Sequence, residues 1–168
     1  MILCMKAADI GRIAEIHVFG QRKAYRGILT DEWLFGETTV AKRTEYFKKQ
    51  LENPRRAAFV YYDGIIKGFF IAAPCPDEGK AHALELERIF VEPLMQGQGI
   101  GKKLLLYCEE MAARLGFPEI CLWVLEKNHA ARGFYEKMGY ALDGSRQGSR
   151  QGLMGIPVME VRYAKNLK

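Results

Sequence analysis

Apolar residues recur along this 168-residue chain at two spacings, and the change from one spacing to the other marks its elements. The sharpest change lies between residues 84 and 115. Leu84, Leu86 and Phe90 fall on one face at period two, with Glu85, Glu87, Ile89 and Val91 on the other, which predicts a strand. Pro93 ends it, having no N–H to give a ladder. Beyond Gly101, Leu104, Cys108, Met111, Ala112 and Leu115 recur at helical spacing and predict an amphipathic helix. Between the two lies Gln96-Gly97-Gln98-Gly99-Ile100-Gly101, a glycine loop inside which the helix starts.

The same reading orders the rest of the chain. Met1 to Lys6 reads as a short strand. Asp9 is a candidate N-cap for a helix burying Ile10, Ile13, Ala14, His17 and Val18, where His17 reads as a core or pocket-edge histidine rather than a metal ligand. Thr30 to Trp33 offers a second capping signal, and Thr38 to Leu51 a surface helix that Asn53-Pro54 ends. Asp63-Gly64, between Ala57 to Tyr62 and Ile65 to Ala73, is a strong hairpin signal. Pro74 to Lys80 reads as a loop. Ile120 to Leu125 follows a crossover helix, so this strand is expected to run parallel to the one at 84 to 91. Asn128 starts a helix that turns Ala131, Phe134 and Met138 inward and closes on Gly139 as its C′ residue. Tyr140 to Leu142 begins a strand, Gly144 to Gln151 reads as a mobile basic loop, and Ile156 to Ala164 as the last strand. This order of elements predicts an α/β protein, a mixed sheet with helices on both faces.

Composition narrows the class. With 49% hydrophobic and 27% charged residues, the chain is expected to fold as a single domain over 1–168. Cysteines at 4, 75, 108 and 121 form no C-x-x-C pair, and histidines at 17, 82 and 129 give no zinc spacing, so no metal is expected. His82 and His129 read as surface residues. No apolar run approaches the ~18 residues of a membrane span and no leader opens the sequence, so a cytoplasmic protein without a membrane partner is expected. Twenty-five basic residues are scattered among 20 acidic ones, which argues against a nucleic-acid partner.

The glycine loop carries the chemistry. Unpaired N–H groups and the positive dipole end of a helix suit a phosphate or pyrophosphate, and glycines let it approach the backbone. A Walker A loop does not fit, since Gln96 takes its first glycine and Lys103 its hydroxyl residue. A dinucleotide GxGxxG does not fit either, since Lys102 takes its third glycine. Gln96, Gly99 and Gly101 give Gln-x-x-Gly-x-Gly after a strand ending Ile-Phe-Val-Glu-Pro. A second block follows: Ile120 to Asn128, then Ala131, Phe134-Tyr135, Gly139 and Tyr140. Together they resemble the acyl-CoA loop and the next strand and helix of the GNAT superfamily of N-acetyltransferases, firmly over residues 82 to 142 and loosely elsewhere.

The resemblance implies a mostly antiparallel central sheet of about seven strands, splayed between the fourth and fifth. It implies acetyl-CoA as cofactor, with contacts from Ile89, Phe90, Val91, Gln96, Gly97, Gln98, Gly99, Ile100, Gly101, Lys102, Asn128 and Tyr135. It further implies a bulge in the organising strand, which the residues alone do not show. The reaction expected is acetyl transfer to a primary amine of a small molecule or peptide, by direct attack in a ternary complex. Tyr135 is the candidate acid for the leaving thiolate, seven positions after Asn128 and so on the same side of the helix. Glu85 and Glu87 are the candidate bases, with a mild preference for Glu87 at the acceptor. Tyr25, Arg26, Trp33 and Phe35 are candidates for acceptor contact by resemblance, and as aromatics of the core on the plainer reading. The rival class is a non-catalytic acyl-CoA-binding or sensing module. The resemblance leaves a homodimer open.

Overall fold

The computed structural model describes residues 1–148 and 158–167. In chain order the elements are β1 (Ile2–Cys4), α1 (Ile10–Ala24), α2 (Val40–Leu51), β2 (Ala57–Asp63), β3 (Ile65–Pro74), β4 (Ala83–Val91), α3 (Ile100–Arg114), β5 (Glu119–Leu125), α4 (His129–Lys137), β6 (Ala141–Gly148) and β7 (Met159–Asn166). Single helical turns at Ala7–Asp9, Glu32–Glu37 and Pro93–Met95 join some of them. The strands form one sheet in the order β1-β2-β3-β4-β5-β7-β6. Its described pairings are antiparallel except for β4 with β5, which run parallel as the crossover through α3 requires.

Local chemistry sets the element ends. Thr39 caps α2 by accepting from the amide of Lys42 at 3.3 Å. Thr30 does the same for the amide of Trp33 at 3.3 Å, as the sequence anticipates. Asp9 precedes α1 but its carboxylate accepts from the amide of Lys6 at 2.8 Å, so it closes the preceding turn and caps no helix amide. Gly139, at φ +85, stops α4 in the left-handed conformation its C′ position asks for.

Two apolar layers sandwich the sheet. On one face α3 and α4 bury Leu104, Leu105, Cys108 and Tyr135 against Phe70, Leu84, Leu86, Ile120 and Leu122. On the other, α1 and α2 bury Ile13, Ile16 and Phe47 against Val60, Phe69 and Ile71. Among the described residues no helix is long and apolar enough to cross a membrane, and no cluster of side chains is arranged to hold a metal.

Strict alternation fails in β4, and the failure has a cause. Ile71 pairs with Arg88 and Ala72 with Leu86, so Glu87 has no opposite residue in β3. This bulge inserts one residue and exchanges the two faces beyond it. Ile89 and Val91 join Leu84 and Leu86 on the α3 face, while Phe90 crosses to the α1 face. The expectation that Phe90 shares a face with Leu84 and Leu86 is therefore corrected. Gly20 of α1 makes room for the displaced ring: a Cβ there would lie 2.6 Å from Cδ1 of Phe90.

A second correction concerns residues 144 to 148. They belong to β6, not to a mobile loop; residues 149 to 151 of that expected loop lie outside the described residues. Between Leu142 and Arg146 the β6–β7 register shifts, and Arg162 ties the irregular turn down. Its Nε donates to Asp143 at 2.6 Å and a terminal nitrogen to Ser145 at 2.8 Å. Polar composition here reflects an ion-paired sheet edge.

Gly68 of β3 tests the packing of α3 on the sheet. A Cβ at Gly68 would come within 2.9 Å of the Phe90 carbonyl oxygen and 3.1 Å of Leu104 Cδ1. Gly68→Ala is expected to cost about 1–3 kcal/mol and to lower the melting temperature by on the order of 5 °C in a thermal scan. Gly133→Ala, at a helical position open to solvent, is expected to leave it unchanged or raise it.

Candidate active site

β4 and β5 are hydrogen-bonded partners over three residue pairs only: Ala83 with Glu119, Leu84 with Ile120 and Glu85 with Cys121. Beyond Glu85 they part. β4 continues along β3 to Val91, and β5 continues along β7 to Leu125. The inner edge of β4 from Leu86 onward is thereby left without a strand neighbour, its amides and carbonyls open to an extended ligand. A groove of about 680 Å³ occupies the gap, running from α1 across the splay to the start of α3 and to α4.

At one end of the groove lies the glycine loop. Gly97 and Gly99 take φ values of +80 and +76, which a side chain at either position would oppose. This places Gly99 as the left-handed N-cap of α3, and the first protein-bonded amide of the helix is that of Lys103, donating to Gly99 at 3.0 Å. Among the described residues the amides from Gln96 to Lys102 donate to no protein acceptor. A row of unanswered N–H groups at a helix start is an anion site by construction. Lys23 of α1 and Lys102 of α3 add positive charge along the same wall. Gln98, expected in the cofactor set, is exposed and donates toward the Met95 sulfur at 3.6 Å; its side chain does not line the groove.

In the middle of the groove stand Asn128 and Tyr135 from one side of α4. The side-chain oxygen of Asn128 caps the helix by accepting from Ala131 at 3.2 Å. Its amide nitrogen has no protein acceptor among the described residues. Tyr135 is buried, and that burial, with smaller contributions from Tyr25 and Cys108, raises the pKa of its phenol. It is therefore a proton donor at neutral pH.

The two glutamates have separate fates. Glu87, at the bulge, accepts two hydrogen bonds from Arg56, at 2.7 and 2.9 Å, in a bidentate pair. Glu85 sits where the strands part, 8% exposed. Burial first, then the neighbouring Cys75 and Glu87, raise its pKa from 4.5 to about 7. A carboxyl with that pKa is suited to accept a proton near neutral pH, but Glu87 lines the groove and Glu85 does not, so both stand as candidate bases.

Of the four residues expected at the acceptor, Tyr25 lines the groove, and burial pushes its phenol up to about 12. Trp33 does not line it: the indole is buried with Leu29, Leu34, Leu125 and Val158. Phe35 is half exposed beneath the Arg22 guanidinium, and Arg26 is exposed in the turn after α1; neither reaches the groove. The structure adds residues the sequence did not single out. Arg88, Trp123 and Glu160 line the acceptor side together with His17. Glu160 is 2% exposed in β7 opposite Leu125. Glu160 alternates with Arg162 in the last strand, so nothing local marked it, and which site it reaches depends on β7 inserting beside β5. His17 is neutral, its pKa depressed by burial and by Arg88 and Arg43.

Comparison with known proteins agrees with this geometry. Residues 13–140 match the family model described as the acetyltransferase (GNAT) family. A probable N-acetyltransferase of Mycobacterium tuberculosis is 34% identical over 167 residues, covering 96% of this chain and 91% of its own. An uncharacterized N-acetyltransferase of Bacillus subtilis is 30% identical over 125 residues, covering 73% of this chain and 70% of its own. Among solved structures, a PaiA N-acetyltransferase from Thermoplasma acidophilum in complex with coenzyme A superposes with a TM-score of 0.77. It covers 99% of this chain and 98% of its own at 22% identity, a likeness of fold.

The raised pKa of Glu85 has a measurable consequence. The folded chain holds this proton more tightly than the unfolded chain, so the stability contributed by this group is fully present below pH 4.5 and is lost as pH rises through about 7. The loss is about 3 kcal/mol. Glu85→Gln removes the titration, so its stability relative to wild type is expected to rise across that window and level off above it. Chemical denaturation in unit steps from about pH 5 to about pH 8 measures the difference, and a flat profile means that the carboxyl is not held neutral.

Proposed function

The chain belongs to the GNAT acetyltransferase family, and from that premise we propose that it moves an acetyl group from acetyl-CoA to a primary amine by direct attack within a ternary complex. The observation that carries this reading is the coincidence of three features in one groove. They are a row of unpaired amides for a diphosphate, an open strand edge for an extended arm, and a buried phenol beside both. Acetyl-CoA supplies the thioester, an acyl carbon activated toward an amine.

The chain's own residues do the rest. Amides from Gln96 to Lys102 bind the diphosphate, with charge and helix dipole acting in the same direction. Ile89 and Val91 pair through their backbone with the pantetheine arm, and the side-chain nitrogen of Asn128 donates to it. An amide of the bulged segment near Ile89 or Phe90 stabilises negative charge on the acetyl oxygen. Glu85, behind the groove lining, takes the ammonium proton through water, and Tyr135 returns one to the departing sulfur. No cysteine or serine lines the groove among the described residues, which favours direct attack over a covalent acyl-enzyme. The acceptor enters between α1 and β5, past Tyr25, Trp123 and Glu160. A binding module without catalysis needs neither a phenol at 135 nor a neutralised carboxyl at 85, and so accounts for less of the site.

Isothermal titration with acetyl-CoA tests the premise, and an absence of heat at millimolar concentration ends it. Tyr135→Phe is expected to lower kcat by about 10²-fold while leaving the Kd for acetyl-CoA nearly unchanged, read from thiol release against an amine panel and from the same titration. Equal losses in kcat and cofactor affinity would assign Tyr135 to binding alone.

A further inference from the structure

Two guanidiniums meet beside the groove: Arg88 lines it, and Arg43 lies behind Arg88, outside the lining. Arg43 extends from α2 and Arg88 from β4, and both flank the ring of Tyr46, at 5.8 and 5.2 Å from its centroid. Among the described residues neither forms an ion pair. The side chain of Arg43 makes no hydrogen bond, and that of Arg88 donates only to the carbonyl of Glu87 next to it, at 3.2 Å. The Nε atoms of both are buried and without a partner.

This differs from how the chain treats other arginines. Arg12 is held by Glu92, Arg56 by Glu87, Arg146 by Glu126 and Arg162 by Asp77 and Asp143. Glu87, next to Arg88 in the chain, has both oxygens committed to Arg56. Desolvation and the field of Arg88 lower the pKa of Arg43, the mark of two like charges brought together away from water. Such an arrangement is costly unless a ligand of opposite charge completes it. Glu160 in the groove wall is opposite in sign, the carboxyl of Glu85 at the splay lies within the field of Arg88, and the phenol of Tyr25 is within electrostatic reach of Arg88, Glu160 and Arg43 alike.

We propose that the acceptor is an amine that also carries a carboxylate, a free amino acid being the simplest member, with the carboxylate held by Arg88 and Arg43 and the amine turned toward Glu85 and the thioester. This rests on the acetyl-transfer reading and narrows its substrate class. A planar guanidinium fork matches a carboxylate in two parallel hydrogen bonds, which a lysine in its place cannot reproduce. The same two charges repel a polyamine, so the site discriminates against substrates that are cations only.

The test uses matched sets: an amino acid, its carboxamide, its decarboxylated amine and its aminophosphonate. Thiol release from acetyl-CoA is measured for the wild type, Arg88→Gln, Arg88→Lys and Arg43→Gln. In the wild type kcat/KM for the acid is expected to exceed that for the amide by about 10²-fold, falling to within about threefold in Arg88→Gln with the Kd for acetyl-CoA unchanged. Arg88→Lys is expected to recover only part of the preference. A second measurement needs no turnover: N-acetylated amino acids, as product probes without acetyl-CoA, are expected to raise the melting temperature of the wild type but not of the Arg43→Gln/Arg88→Gln double variant. Both single variants are expected to melt no lower than the wild type, since each removes an unpaired charge.

An amide or a decarboxylated amine used as well as the acid overturns the proposal. So does a melting shift that survives loss of both arginines, and preference for the aminophosphonate replaces the carboxylate by a phosphate group. Should no amine release thiol while the acid-specific shift persists, the acetyl-transfer reading falls and the anion site stands. Turnover of amines without preference for the acid, together with no shift, leaves acetyl transfer standing and removes the anion site.

Discussion

The separation of β4 from β5 after Glu85 is the constraint on which this structure depends. Hydrogen bonding within a sheet is normally completed by the next strand, and here it is withheld from the inner edge of β4. The chain can leave that edge open because the bulge at Glu87 turns the strand and redirects its side chains, while β7 takes over as the partner of β5 along its whole length. The same parting begins at Glu85, brings α4 and its tyrosine over the gap, and aims the start of α3 into it. An open strand edge, the phenol of Tyr135 and the start of α3 all meet at one defect in the sheet.

Charge is distributed with similar economy. Most of the partly buried ionic groups are paired within the chain: Arg56 with Glu87, Arg12 with Glu92, Lys165 with Glu109. The amides from Gln96 to Lys102 lie along the groove without a protein acceptor among the described residues, and so does the guanidinium of Arg88 without an ion pair, with Arg43 close behind it. In a folded protein unsatisfied polar groups are concentrated where a ligand is meant to supply the missing partner. The groove is polar at each end, and its middle is lined by apolar side chains such as Leu86, Ile89, Val124 and Phe134. That pattern fits an anionic head, an uncharged arm and a polar acceptor arranged in a line.

Much of the fold was legible from residue order alone. Seven strands and four helices, their sequence, the Asp63-Gly64 hairpin and the parallel step through α3 all follow from apolar spacing and turn residues. The glycine loop was legible because its function is performed by backbone, so that the absence of side chains is itself the signal. Tyr135 and Asn128 were legible because a helical spacing of seven places them on one side. Glu160, Arg88 and Arg43 were not, because each comes from a different part of the chain and nothing local distinguishes them from solvated surface charge. Trp33 and Phe35 were misplaced for the same reason: an aromatic after α1 looks alike whether it lines a cavity or fills the core.

The sequence by itself determined which segments become strands and helices and where the anion-binding amides lie, since both depend on residues close together in the chain. Only the tertiary structure decided the rest: the face on which Phe90 lands, the different surroundings of Glu85 and Glu87, and the charges that meet beside the groove. The bulge moves β4 side chains by one register position, Arg56 pairs with Glu87 in the groove lining, and β7 carries Glu160 into the wall. Each of these is a contact between residues far apart in sequence, and spacing along a chain holds no record of such contacts.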